Sequence, residues 1–196
     1  MADSILSAVP LRRGHFRLES GYHTDLWLTL DALFVSPAAI APQVAALADL
    51  LRPYSETGVG GPVLGGAFLA EALAAHMVLR FYFSQPVAAN AEGRLFAAEY
   101  ALPTALRHHL AGERIAIVDD VISAGSSARA TGAALADAGA TTVAVGSLLL
   151  LGRQAEAHFS ALGVPVVALA RQEFNLWLPG DCPLCVDKIA LEDPAL

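Results

Sequence analysis

The stretch that decides the fold runs from Arg114 to Ser127 and reads Arg-Ile-Ala-Ile-Val-Asp-Asp-Val-Ile-Ser-Ala-Gly-Ser-Ser. Its apolar first half, with several β-branched residues, is typical of a buried parallel strand. Asp119 and Asp120 then fall at the carboxyl end of that strand, where open α/β sheets bind their ligands. A loop of small residues leads into a predicted helix at residues 128–138, and the free N–H groups of a helix's first turn attract anions. Carboxylates beside an anion site predict a sugar phosphate as the ligand.

Strands and helices alternate outward from this stretch. Strands are predicted near residues 78–83, 142–151 and 164–170, and helices near residues 3–9, 36–51, 67–76 and 154–162. This alternation predicts an α/β fold with an open parallel sheet flanked by helices. The segments before about residue 35 and after about residue 171 do not fit it, so we expect them to form a small cap. The 196 residues are expected to be one domain, with its core at about residues 36–170.

Composition and charge exclude several classes of protein. The net charge of −7 argues against a general nucleic-acid binder. No apolar run approaches the length of about 18 residues that a membrane span needs, so we expect no membrane association. The N-terminal segment lacks the basic start of a signal peptide, and a cytoplasmic protein is the expectation. Lys188 is the only lysine in the chain.

The two cysteines form a short Cys-Pro-Leu-Cys segment at Cys182 and Cys185. Two cysteines are too few for a disulfide framework. Their spacing is that of a metal knuckle, but a structural zinc site needs four ligands. A pair of reduced thiols, a site completed by a histidine and a site shared between two subunits all stay open. His15 and His23 lie in the predicted cap, and His23 is a candidate for facing the ligand pocket.

Residues 117–127 resemble the 5-phosphoribosyl 1-diphosphate (PRPP) signature of type I phosphoribosyltransferases, and orotate phosphoribosyltransferases in particular. Three other segments agree with that family in kind and in order along the chain. They are Gly-His-Phe-Arg-Leu-Glu-Ser-Gly at 14–21, Gly-Pro-Val-Leu-Gly-Gly at 61–66 and Gly-Arg-Gln at 152–154. The resemblance covers roughly residues 14–170.

The resemblance implies a role for each matching position. Asp119 and Asp120 would bind the ribose hydroxyls, directly or through water on Mg²⁺, which is the implied cofactor. The 5-phosphate would be wrapped by Ser123, Ala124, Gly125, Ser126 and Ser127. The diphosphate would lie against a glycine loop that contains Gly61, Pro62, Gly65 and Gly66. Arg153 would hold an acidic base through a charge-assisted contact.

The implied reaction is displacement of diphosphate from C1 of PRPP by a ring nitrogen of a nucleobase, with orotate as the leading base. Pyrimidine biosynthesis is the implied pathway, and a homodimer is the implied assembly. Charge grows on the leaving diphosphate, so catalysis requires donors there and a loop that excludes water. The predicted mobile loop at residues 84–98 would serve this purpose.

Two departures from the orotate enzymes concern charge. Their mobile loop usually carries lysines, whereas Arg94 is the only basic residue between positions 84 and 98. Arg94 is therefore the candidate catalytic cation of the loop. Glu19 stands where orotate enzymes typically have lysine, and an acid there would repel the carboxylate of orotate. A regulator that binds PRPP or a nucleotide on the same fold, without fast turnover, is the alternative interpretation.

Overall fold

The computed structural model describes residues 11–87 and 99–193. Its centre is a sheet built from β3 (Gly58–Pro62), β4 (Arg80–Pro86), β5 (Tyr100–Ala101), β6 (Arg114–Ile122), β7 (Thr141–Leu151) and β8 (Val166–Gln172). The strand order is β5-β4-β3-β6-β7-β8. All neighbours are parallel except β5, which runs antiparallel to β4. The predicted fold class, an open parallel sheet flanked by helices, is confirmed.

The helices of the described residues lie close to their predicted positions, except the short helix at 183–186, where the sequence predicts none. They are α1 (Pro37–Leu51), α2 (Gly65–Met77), α3 (Thr104–Arg107), α4 (Ser126–Asp137), α5 (Gln154–Ala161) and α6 (Pro183–Val186). Ser36 caps α1, because its Oγ accepts a hydrogen bond from the backbone N–H of Ala39 at 3.4 Å. The strand predicted at 78–83 begins two residues later, because Val78 adopts a left-handed conformation (φ 58°) at the end of α2.

Strand β6 separates two hydrophobic cores, one on each face of the sheet. Side chains alternate between the faces of a strand. Ala116 and Val118 belong to the core formed with α1 and α2, whereas Ile115 and Ile117 belong to the core formed with α4 and α5. All four side chains are fully buried. The strand that carries the two acids is therefore held on both sides before it reaches its carboxyl end.

Three of the five residues of strand β3 are glycine, and the strand was not identified from the sequence. Its glycines are explained by their neighbours across the sheet. A Cβ on Gly58 would lie 2.9 Å from side-chain atoms of both Ile115 and Tyr82. Large side chains on β6 and β4 thus take the space that β3 leaves free. The β-sheet propensities of the residues alone do not reveal such a strand.

The cap contains a two-stranded antiparallel hairpin, β1 (Leu11–Arg17) and β2 (His23–Leu28), and the C-terminal segment flanks it. The backbone N–H of Arg17 donates to the carbonyl of Glu192 at 2.9 Å. On the other strand, the N–H of His23 donates to the carbonyl of Trp177 at 2.9 Å. The expected packing of the two terminal segments against each other is therefore present. The division into one domain with a core at 36–170 stays a prediction.

Several expectations concern residues outside the part of the chain that the structure describes. They are the helix at residues 3–9, Arg94, and the predicted loop from residue 88 to 98. The first three residues of that loop, 84–86, belong to β4. In the ranges 11–87 and 99–193, none of the helices combines the length and the apolar character needed to cross a bilayer.

Candidate active site

The acid pair lies near the carboxyl end of β6, as the sequence predicts. Asp119 is buried, with 7% of its surface exposed. Its Oδ1 accepts a hydrogen bond from the backbone N–H of Asp120 at 3.1 Å, and its Oδ2 accepts one from Ser127 Oγ at 2.9 Å. Oδ1 of Asp120 accepts the N–H of Val121 at 2.8 Å. The carboxylate of Asp119 is therefore fixed between its own strand and the start of α4.

Burial raises the pKa of Asp119 above its usual range, and the neighbouring charge of Asp120 raises it further. The hydrogen bond from Ser127 acts in the opposite direction. A cation near the two carboxylates would favour their ionised forms by the same electrostatic reasoning. The pair is therefore suited to a ligand that brings positive charge or hydroxyl donors.

The glycine loop at residues 61–66 packs directly against these acids. A Cβ on Gly65 would overlap the carboxylate of Asp120, and one on Gly66 would lie 2.7 Å from Oδ1 of Asp119. A Cβ on Gly61 would overlap the backbone of Gly66. The peptide bond between Val63 and Leu64 in this loop is cis. Side chains at the glycine positions would push the loop away from the acids, so close approach requires glycine.

The small-residue loop at 123–127 joins β6 to α4. Gly125 has a φ of +80° and lies directly before α4, and a Cβ there would lie 2.9 Å from Ala155 Cβ. Ala124 and Ser126 are buried behind the surface of the loop. The first N–H groups of the 12-residue helix α4 have no partners within the helix and favour an anion. The Ser127 hydroxyl, predicted to contact phosphate, here donates to Asp119.

These elements surround a cavity of about 660 Å³. The predicted site residues that line it are Pro62, Gly65, Asp119, Asp120, Ser123 and Ser127. The cap and the sheet edge contribute Leu18, Glu19, Leu26, Trp27, Leu28, Thr29, Leu30, Pro86, Tyr100, Leu151 and Phe174, among others. The hairpin therefore covers the carboxyl end of the sheet, as expected from the sequence. Tyr100 and Phe174 were not identified from the sequence, because no local pattern marks them.

The cavity is acidic. Glu19, Asp119 and Asp120 line it, whereas none of its lining residues among the described positions is Lys, Arg or His. The hydroxyl of Tyr100 donates to Oε1 of Glu19 at 2.8 Å. Burial and the charge of Glu19 raise the pKa of Tyr100, so this hydroxyl stays a donor. A polyanionic ligand would therefore meet backbone N–H groups and the start of α4, and would need an accompanying cation.

Two predicted site residues lie elsewhere in the described chain. Arg153 lines a separate cavity of about 250 Å³, where its guanidinium lies 3.9 Å from the carboxylate of Glu173. Both side chains are 85% exposed. A contact between Arg153 and the base stays a prediction. His23 does not line the large cavity, and its Nδ1 faces Cys185 Sγ at 3.3 Å.

Comparisons with known proteins agree with this geometry. The model of the phosphoribosyl transferase domain family matches residues 39–179. The orotate phosphoribosyltransferase of Thermotoga maritima is 31% identical over 184 residues, covering 94% of this chain and 91% of that relative.

Two solved structures share the fold over 87% of this chain and 93% of theirs. The orotate phosphoribosyltransferase of Aeropyrum pernix has a TM-score of 0.64 at 21% identity. That of Mycobacterium tuberculosis in complex with PRPP has a TM-score of 0.62 at 19% identity. The acid pair and the two loops around one cavity agree with the family match and the Thermotoga relative. The chain therefore belongs to the phosphoribosyltransferase family, and it resembles the orotate-specific members over nearly its whole length.

Proposed function

We propose that this phosphoribosyltransferase transfers the ribose 5-phosphate of PRPP to a nucleobase and releases diphosphate, with orotate as the leading base. The observation that carries the proposal is the convergence of three elements on one cavity of about 660 Å³. These are the acid pair, the glycine loop and the start of α4. The Thermotoga relative is named for transfer to orotate, and the mycobacterial structure contains PRPP, which supports the same assignment here.

PRPP offers three groups that suit these three elements. Its ribose hydroxyls suit the carboxylates of Asp119 and Asp120, which accept hydrogen bonds. Its 5-phosphate suits the loop at 123–127, where N–H groups point out of the first turn of α4. Its diphosphate suits the loop at 61–66, because a backbone without side chains lets an anion approach the N–H groups closely.

The donor set also fits Mg²⁺. Carboxylate oxygens are ligands that Mg²⁺ uses together with substrate phosphates and water. The described lining of the cavity holds three carboxylates and no basic side chain, so a cation is needed to balance a bound polyanion. Mg²⁺ bound with PRPP would be held by Asp119 and Asp120, through water, and would neutralise charge on the diphosphate.

In the transfer, the bond from C1 to the diphosphate oxygen breaks, and a bond from C1 to a ring nitrogen of the base forms. The proton that this nitrogen carries in the free base is released to the diphosphate or to water. The electron pair of the broken bond leaves with the diphosphate. Asp119 and Asp120 orient the ribose, while Trp27 of the cap and Tyr100 of β5 exclude water from C1. Arg94 is the proposed loop cation that stabilises the leaving group. It takes the role that lysines have in related enzymes.

The side of the cavity formed by the cap is the proposed base site. Trp27 and Phe174 offer apolar and aromatic surface for a flat ring. Glu19 adds a negative charge there, although its hydrogen bond with Tyr100 offsets part of that charge. This acid would select against a carboxylate on the base unless Arg153 or a loop cation compensates.

The first experiment measures diphosphate release from PRPP and Mg²⁺ with a panel of orotate, uracil, adenine and hypoxanthine. We expect turnover with orotate above that with the other bases. PRPP binding without turnover on any base would contradict the enzymatic proposal and would favour the regulator interpretation. Calorimetry with PRPP alone separates these two outcomes.

The double substitution Asp119→Asn with Asp120→Asn tests the ribose site. We expect a loss of at least about 100-fold in kcat/KM, or about 2.7 kcal/mol of transition-state stabilisation, because two charged acceptors are removed. The control Asp49→Asn with Asp137→Asn makes the same charge change at two exposed helix positions. PRPP affinity and turnover that match the wild type in the first variant would refute the assignment.

The substitution Glu19→Gln tests the charge at the base site. It keeps an oxygen that can accept the hydrogen bond from Tyr100. We expect tighter binding of orotidine 5′-phosphate by about five-fold, or about 1 kcal/mol, because a like charge is removed. Binding of uridine 5′-phosphate, which lacks the carboxylate, should change little. Calorimetry with both nucleotides measures the two affinities, and Asp137→Asn is the control. An equal change in affinity for both nucleotides would place Glu19 away from the base.

A homodimer is the proposed assembly, and an apolar surface groove is the proposed interface. The groove has a volume of about 410 Å³, and its lining includes Phe34, Ile40, Val44 and Phe68. Phe68 is 52% exposed, and Val35 beside the groove is 84% exposed. Leu64, 66% exposed, also lines the active-site cavity, so an interface here would adjoin the site. Pyrimidine biosynthesis in the cytoplasm is the proposed setting, and the Thermotoga relative, which is named for orotate, supports the pyrimidine part of this proposal.

The substitution Phe68→Glu tests this interface by sedimentation. We expect the wild type to be a dimer and the variant a monomer, because a charge would be buried in an apolar contact. Leu162→Glu is the control, since Leu162 is also exposed (63%) but lies outside the groove. A wild type that stays monomeric at micromolar concentration, or a variant that stays dimeric, would rule the interface out.

A further inference from the structure

Four side chains with metal-binding atoms converge inside the cap. They are His15 of β1, His23 of β2, Cys182 directly before α6 and Cys185 within α6. The ligand atoms of all four lie within 4.8 Å of one another. Three of the residues are almost fully buried, with exposed fractions of 1% for His15, 5% for His23 and 1% for Cys182. The chain thus brings both of its cysteines and two of its six histidines to one point.

Four of the six distances between these atoms are close to the edges of a zinc tetrahedron. His15 Nε2 lies 3.0 Å from His23 Nδ1, 3.5 Å from Cys182 Sγ and 3.7 Å from Cys185 Sγ. His23 Nδ1 lies 3.3 Å from Cys185 Sγ. Tetrahedral zinc, with bonds of about 2.0 Å to nitrogen and about 2.3 Å to sulfur, separates its ligand atoms by about 3.3–3.8 Å. All pairs lie within 4.8 Å, so a single ion could contact all four atoms once the wider distances contract.

The orientation of His15 supports the same conclusion. Its other ring nitrogen, Nδ1, lies 2.8 Å from the carbonyl oxygen of Ile189. Because a carbonyl only accepts, Nδ1 carries the proton, and the lone pair of Nε2 points into the cluster. Metal-binding histidines are commonly fixed in this way by a hydrogen bond from the second ring nitrogen. The imidazole is thus presented in the tautomer that binds a metal.

We propose that His15, His23, Cys182 and Cys185 bind one Zn²⁺ ion in a structural site. Two thiolates and two imidazoles in a tetrahedron are the donor set typical of zinc. All four positions are filled by protein, which leaves no open position for substrate or water and assigns the ion a structural role. A hydrogen-bonded cluster of two imidazoles and two thiols is the alternative without a metal. That alternative does not require two nitrogen and two sulfur atoms to surround one centre.

The site would join the N-terminal hairpin to the C-terminal segment over the active site. The histidines lie on either side of the hairpin turn that carries Glu19, whereas the cysteines lie in the C-terminal segment. Fixing the hairpin fixes the wall of the cavity opposite Asp119 and Asp120. This zinc is separate from the Mg²⁺ of the proposed reaction, which would be held by carboxylates.

The test is the zinc content of the purified full-length protein, measured by plasma mass spectrometry with a reductant present throughout. We expect about one zinc per chain in the wild type, and less than about a tenth in Cys182→Ser and Cys185→Ser, because two of four ligands are thiolates. His108→Gln is the matched control, since His108 is exposed and lies outside the cluster, and it should keep its zinc. The Asp119→Asn with Asp120→Asn variant should also keep it, which separates this site from the reaction.

Cobalt gives a second measurement, and its main readout uses the wild-type protein alone. After zinc is removed, Co²⁺ added to the wild type should produce the visible bands of a tetrahedral ion and a sulfur-to-metal charge-transfer band. Cys185→Ser, at the exposed position, should weaken the charge-transfer band. Removal of zinc by a chelator should lower the midpoint of thermal unfolding by about 10 °C or more.

Three results would overturn the proposal. The first is wild-type zinc well below half an equivalent together with no tetrahedral cobalt spectrum. The second is zinc content that is unchanged in both cysteine variants, which would place the ion elsewhere. The third is a disulfide between Cys182 and Cys185 in the reduced preparation, detected by mass spectrometry of the intact chain.

Discussion

The active site depends on the close approach of the glycine loop to the two carboxylates at the end of β6. Gly65 and Gly66 lie so near Asp120 and Asp119 that no Cβ fits at either position. The approach is possible because β3, which leads into the loop, pairs in parallel with β6. The absence of side chains thus has two consequences. It lets the loop approach the acids, and it exposes backbone N–H groups to a ligand.

The second constraint is electrostatic. The described lining of the cavity has acidic side chains and no basic one, yet PRPP is a polyanion. In the proposed reaction, favourable charge would come from the start of α4, from backbone N–H groups, and from the proposed Mg²⁺ and Arg94. Burial raises the pKa of Asp119, which makes its ionised form costly in the empty cavity. A cation that arrives with the substrate would remove this cost, so binding of substrate and of metal would favour each other.

The sequence predicted the parts of the site that are contiguous in the chain. Strand β6, Asp119, Asp120 and the start of α4 are local patterns, and they lie where the patterns indicated. Strand β3 was missed because its glycines are explained only by contacts outside the strand, such as Ile115 and Tyr82 for Gly58 and the backbone of Gly66 for Gly61. Contacts between distant segments were missed for the same reason. Tyr100 and Glu19 are 81 residues apart in the sequence, and only the folded chain brings them together.

The cap shows why such distant contacts matter for function. A two-stranded hairpin is marginally stable by itself, so the position of the turn around Glu19 depends on what holds the hairpin. Backbone hydrogen bonds tie it to Trp177 and Glu192. The ion pair between the hairpin and the C-terminal segment formed by Arg12 and Glu192 is about half exposed and adds little. The cluster of His15, His23 and the two cysteines is buried and spans both segments. With a metal at its centre, it is the contact that can hold the cap rigid over the acid pair.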